Sequence, residues 1–190
     1  MSAGSRMEAE ASGAATIFER ARAGDLDAFE MLMRRHERQV LGTALRLLGR
    51  LEDAQDAAQE VFLRLFRHVK KLQAPEAVGP WLYRVTINVC NDAWQKRRPE
   101  SDITDLELSS RAPDPETIAG DAERMQAVTR ALDRLGQKER AALVLREVEG
   151  LSTREVAEIL GSSEVSVRTQ ISTARAKLRE FANRCLRKRT

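Results

Sequence analysis

Three groups of side chains have the types and spacing for chemistry. The first is Arg168, Thr169, Ser172, Arg175 and Lys177, which share one face of a segment whose other face carries Val165, Val167, Ile171, Ala174 and Leu178 at helical spacing. A guanidinium there can donate two parallel hydrogen bonds to a guanine edge, hydroxyls can bond either kind of base, and further cations suit phosphates. The second is Arg84, Asn88, Asn91 and Gln95, separated by four, three and four residues, with both tryptophans (Trp81, Trp94) and the sole tyrosine (Tyr83) in the same segment. Rings stack on unpaired bases at ~1–3 kcal/mol per base, amides bond base edges and cations follow phosphates. Taken singly, each ring fits a core better than a ligand contact; the strip as a whole carries the reading. The third is a row of acids. Glu52, Asp56 and Glu60 lie four apart with Asp53 and Gln59 beside them, on one strip of a helix. Such acids either favour a helix N-terminus and stay solvated, or form a docking surface for a basic protein. As a catalytic pair, Asp56 and Glu60 have nothing nearby to separate their pKa values.

The elements around the first group read as two short helices with a tight turn. Ser152 or Thr153 can cap the first, Glu155 favours its positive end, and Val156, Ile159 and Leu160 give it one apolar face. Gly161 stops it and Ser163 is placed to cap the next, from Glu164. That is a helix-turn-helix, whose second helix can enter a major groove. The acids open a helix over Glu52–Lys71, with a buried stripe of Ala54, Ala57, Ala58, Val61, Phe62, Leu65 and Phe66. The aromatic strip lies on a helix over Trp81–Arg98 with Leu82, Val85, Val89 and Ala93 inward, after a turn at Gln73–Pro80. Before these, Asp25 can cap a helix carrying Phe29, Leu32, Met33, Val40, Leu41, Ala44, Leu45 and Leu48, closed by Gly49. Ile17, Phe18 and Ala21 make a shorter apolar face. Residues 1–15 lack periodicity and are expected to be disordered. Residues 99–117 hold three of the five prolines and one basic residue, Arg111, and read as an acidic linker. Helical periodicity resumes through Ala122, Met125, Val128, Leu132 and Leu135, and again through Ala141, Ala142, Val144, Leu145 and Val148. The fold expected is all-α: two small helical domains, over 16–98 and 118–190, joined by a flexible linker, the second ending in the helix-turn-helix.

The bulk numbers agree with this and exclude other classes. In 190 residues, hydrophobic content is 42% and aromatic content 4%, which favours helices built on Ala and Leu. Net charge is only +3, but eight Lys/Arg against the single acid Glu180 follow Val165. Cys90 and Cys185 stand far apart, as do His36 and His68, so neither a disulfide framework nor a metal site is expected. Lone thiols fit a reducing cytoplasm. No apolar run is long enough for membrane insertion. No cofactor loop and no nucleophile–base constellation is visible, so no enzymatic activity is expected.

The chain resembles the ECF (extracytoplasmic function) group of bacterial sigma factors. The resemblance runs from Gly24 to Leu178. Gly24-Asp25, Ala28-Phe29 and Leu32 look like the opening of the first conserved sigma domain. Asp53-Ala54-Gln55-Asp56 with Gln59-Glu60-Val61-Phe62 is similar to the helix that docks on core RNA polymerase. Trp81-Leu82-Tyr83-Arg84 with Asn88 is similar to the element that melts and reads the −10 region. Leu143 to Leu151, then Gly161, Val167-Arg168 and Ala174-Arg175, resemble the domain that reads the −35 element.

The resemblance implies polymerase contacts through Asp53, Asp56, Gln59 and Glu60 to the largest-subunit clamp helices, and a further contact at the flap region. It implies single-stranded −10 contacts by Trp81, Tyr83, Arg84, Asn88 and Asn91. Duplex readout would fall to Arg168, Thr169, Ser172 and Thr173, with Arg175 and Lys177 nearer phosphates. It implies the linker in the polymerase's RNA path, an inhibitory anti-sigma factor, and a cytoplasmic protein that such a factor could recruit to the inner membrane. Three departures stand out. Ser162 takes the place of an apolar turn residue, Ser172 and Thr173 are small, and the loop over Pro75–Pro80 is short, so base preference does not transfer. The competing reading is a stand-alone helix-turn-helix regulator, which would bind duplex specifically without polymerase.

Overall fold

The computed structural model describes residues 3–97 and 128–187, with side chains over 13–96 and 128–184. The linker over 99–117, with Ala122 and Met125, lies outside the described residues. No strand occurs among the described residues, and the helices are α1 (Ala3–Arg22), α2 (Leu26–Leu48), α3 (Leu51–His68), α4 (Val78–Arg97), α5 (Gln137–Leu143), α6 (Thr153–Leu160) and α7 (Glu164–Arg187), with a further helical stretch over 128–132. Short 3-10 turns at Val69–Lys71 and Pro75–Ala77 lead from α3 into α4, and a π turn at Val144–Val148 follows α5. Helices α1–α4 pack as one group around α2; α5, α6 and α7 form a second.

Local signals set most boundaries. Asp25 caps α2 by accepting the Ala28 N–H at 3.1 Å. Gly49 ends α2 with φ 75°, and a Cβ there would lie 2.5 Å from the Thr129 methyl, so both conformation and space require glycine. Ser152 and Glu155 form a reciprocal capping box on α6. Gly161, at φ 60°, closes α6, and Ser163 accepts the Ser166 N–H at 3.1 Å to open α7. Pro80 sits inside the first turn of α4, where its missing N–H has no intrahelical partner to lose.

The backbone of α1 is helical from Ala3. Several expectations about side-chain burial need correction. Phe66 is 52% exposed rather than core, and meets Phe29 edge to face with ring centres 5.1 Å apart. Val128, Val148 and Val165 are also exposed. Val148 is turned outward by the π turn, in which the Glu149 N–H reaches back five residues to Val144 and shifts the helical register. Val165 stands in the first turn of α7, ahead of the buried row Val167, Ile171 and Ala174.

The two helical groups pack directly on each other. Their buried side chains form one continuous apolar cluster. In consequence α4 is buried on two sides. Leu82 and Val89 face inward as expected, Val85 and Ala93 are half-buried, and Thr86, Ile87 and Cys90 are buried as well.

Candidate nucleic-acid interface

Helix α7 is held by Val167, Ile171 and Ala174, all buried against α5 and α6. That anchoring turns Arg168, Thr169, Ser172 and Thr173 to solvent. The Arg168 side chain is 63% exposed and pairs with Glu164 at 2.7 Å across one helical turn, a contact that water screens and a base edge could replace. Thr169 donates its hydroxyl to the Val165 carbonyl at 3.0 Å. Arg175 is paired with Glu147 at 2.7 Å, and Lys177 with Glu139 at 2.8 Å. Burial raises the Glu139 pKa, but hydrogen bonds from Lys177 and the Gly136 N–H outweigh it and hold the carboxyl below its ordinary range. The six expected duplex-reading residues therefore divide: four sit on an open face, and two cations are braced by acids of α5 and the π turn.

The α4 strip does not face solvent as one surface. Trp81 is half-buried and stacks on His68, with ring centres 4.9 Å apart and planes 13° apart. Tyr83 donates its hydroxyl to Glu149 at 2.9 Å. Arg84 donates to the carbonyls of Glu158 at 2.8 Å and Ile159 at 3.3 Å, at the C-terminal end of α6. Asn88 and Asn91 line a cleft of about 200 Å³ between α4 and the second group, facing Gln137, Lys138 and Gln170. The strip therefore divides: Trp81 lies against α3, Tyr83 and Arg84 are tied to the second group, and Arg84 and Asn88 remain exposed.

The acidic strip is open. Asp53, Asp56 and Glu60 line a groove of about 480 Å³ between α3 and α4, closed on its other side by Asp92 and Lys96. Gln59 is exposed beside it, Glu60 pairs with Arg64 at 2.7 Å, and Asp53 lies 3.6 Å from Arg50.

Residues 32–100 match the family model of Sigma-70 region 2, and residues 125–178 that of Sigma-70 region 4. The ECF RNA polymerase sigma factor SigM of Mycobacterium tuberculosis is 37% identical over 160 residues, 82% of this chain and 78% of that protein. The RNA polymerase sigma-H factor of Pseudomonas aeruginosa is 31% identical over 177 residues, 84% and 88% of the two chains. The chain belongs to the ECF group of RNA polymerase sigma factors. ECF SigE of Mycolicibacterium smegmatis is 36% identical over 160 residues, but that match spans 62% of its length. In structure, this sigma factor is similar to CnrH in complex with the cytosolic domain of CnrY (TM-score 0.67, 25% identity, 88% and 96% of the chains). The sigma factor RpoE of Bartonella quintana, in complex with the anti-sigma factor NepR, shares the fold (TM-score 0.64, 21% identity, 82% and 96%).

Two residues that sequence reasoning passed over join the two regions of the sigma factor. Glu149 accepts hydrogen bonds from Thr43 at 3.0 Å, Arg46 at 2.9 Å and Tyr83 at 2.9 Å. Arg140, 5% exposed, donates to the carbonyls of Leu132 at 2.9 Å and Leu47 at 2.6 Å and to Asp133 at 2.8 Å. An arginine opening an apolar run (Ala141 to Leu145 follow it) is the one sequence signal that could have pointed to Arg140, since such a group needs partners when buried. Burial, then the Glu149 bond, pushes the Tyr83 phenol well above its ordinary range.

Proposed function

We propose that this ECF sigma factor binds core RNA polymerase through Asp53, Asp56, Gln59 and Glu60, on the clamp helices of the largest subunit, with a second contact at the flap region. The −35 element is read as duplex by Arg168, Thr169, Ser172 and Thr173, with Arg175 and Lys177 near phosphates. The −10 element is held as a single strand by Trp81, Tyr83, Arg84, Asn88 and Asn91. The observation that carries this is the open face of α7: a rigidly anchored helix presents a guanidinium and three hydroxyls side by side, the groups that read base edges. The open acidic groove between α3 and α4 supports the polymerase contact. An anti-sigma factor holds the protein inactive; RpoE, which shares the fold, is in complex with one. It works in the cytoplasm, and that factor can bring it to the inner membrane face. No helix among the described residues is long and apolar enough to cross a membrane.

The test is binding with and without polymerase. The protein co-elutes with core polymerase on gel filtration, and gel shifts at fixed salt give specific promoter complexes only with polymerase present. Specific duplex binding by the chain alone, with no affinity for core, overturns the assignment in favour of a stand-alone regulator.

A further inference from the structure

Trp81 stands at the rim of the core between α3 and α4. Val78 and Leu82, which flank it on α4, are fully buried, and so are Leu65 and Val69, which flank His68. Trp81 and His68 themselves are only half-buried. Their rings lie nearly parallel, with centres 4.9 Å apart and planes 13° apart, the geometry of an offset stack. The backbone beneath Trp81 is fixed separately. Gln39 of α2 donates its Nε2 to the Gly79 carbonyl at 3.2 Å, and its Oε1 lies 2.9 Å from Nδ1 of His36. With the first turn of α4 tied to α2 in this way, the freedom left to Trp81 is rotation about its two side-chain torsions. The stack on His68 takes up that freedom.

We infer that His68 is a positioning residue for strand opening: by stacking on Trp81 it holds the indole ready for an unpaired −10 base, so that the ring need not be ordered as the duplex opens. The inference rests on the assignment of Trp81 to the −10 strand. A ring that samples several rotamers loses that freedom in the complex, and the loss weakens its contact with the base. A ring already held loses little. An imidazole suits the task, because it is flat enough to cover an indole face and, from the last residue of α3, close enough to reach one. The stack also stands apart from the rest of the strip. Both its rings belong to the first helical group, whereas Tyr83 and Arg84 are tied to the second. It therefore does not depend on where the helix-turn-helix lies.

The test uses core polymerase with the full chain on a duplex promoter fragment that gives a run-off transcript. The opening equilibrium is read from permanganate reactivity of −10 thymines, at a temperature where wild type opens the fragment only in part. Trp81→Ala is expected to weaken opening about tenfold or more, the loss of one stacked base. His68→Ala is expected to weaken it about three- to tenfold. His68→Phe, which keeps a flat ring, is expected to stay within about twofold of wild type. In the Trp81→Ala background, His68→Ala is expected to add less than about twofold, because it acts only through that ring. Should either alanine variant not fold by circular dichroism, His68→Gln or Trp81→Leu takes its place. With Trp94→Phe leaving Trp81 as the sole tryptophan, acrylamide quenching of its fluorescence is expected to increase on His68→Ala. Opening by Trp81→Ala equal to wild type overturns the −10 role of Trp81, and the inference with it. A loss in Trp81→Ala with none in His68→Ala overturns the positioning role and leaves the −10 assignment standing. Additive losses, unchanged quenching or no rescue by His68→Phe do the same.

Discussion

The Ser152 hydroxyl accepts the Glu155 N–H at 3.2 Å, and the Glu155 carboxylate accepts the Ser152 N–H at 2.7 Å. This pair fixes the entry of α6, the helix on which Arg84 rests and against which α7 is set. Ser152→Ala is expected to cost about 1 kcal/mol in urea denaturation near neutral pH. The Ser152 hydroxyl and N–H hold the Glu155 carboxyl below the ordinary glutamate range. A lowered folded pKa contributes stability above the ordinary range and loses it as pH falls through the folded value. The gap between wild type and variant therefore narrows in acid; a gap independent of pH contradicts the pairing.

Arg140 is the buried charge on which the junction of the regions depends. Arg140→Ala removes the donor from two carbonyls and from Asp133, and is expected to cost about 3 kcal/mol or more. Arg140→Lys is expected to recover less than half of this, because an ammonium cannot reproduce the three-way fork. Denaturant midpoints of both variants within about 0.5 kcal/mol of wild type would contradict this role.

Tyr83 is the only tyrosine, so alkaline absorbance titration reports one phenol. Burial first, then the hydrogen bond to Glu149, keeps it protonated well past the usual range. With a raised folded pKa, the stabilisation is complete below the unfolded value and is lost as pH rises toward the folded one. Glu149→Gln is expected to bring the titration down toward that of a free tyrosine. An unshifted titration in the wild type contradicts that bond.

Burial pushes the Cys90 thiol up to about 12. In native protein near neutral pH, Cys90 should resist iodoacetamide, and it should react readily in urea, as peptide mapping would show. Native labelling as fast as denatured labelling would contradict its burial in α4.

What could be read from the sequence was what short-range physics decides. The caps Asp25, Ser152 and Ser163, the stops Gly49 and Gly161, and the buried row Val167–Ile171–Ala174 all follow from residues within one or two turns of each other. Phe66 misled because its spacing fits the α3 stripe while the packing leaves that position at the rim. Val148 misled because periodicity assumes 3.6 residues per turn, and the π turn breaks it. Of the site, the open face of α7 was legible. The contacts of Arg84 with Ile159, and of Glu149 with Tyr83 and Thr43, were not, because they join residues 66 to 106 positions apart and leave no periodic trace. Glu149 looked like the approach to a helix; it is the residue on which three side chains of the other region converge.

Promoter-directed initiation is the claim on which the rest turns, and run-off transcription measures it directly. Core polymerase with this sigma factor, offered a set of genomic fragments, is expected to give discrete transcripts. Arg168→Ala is expected to reduce them by about tenfold or more and to relax discrimination at one −35 base pair. Fragments that give no discrete transcript with either protein, although the chain is folded and the core polymerase is active with another sigma factor, would contradict the account.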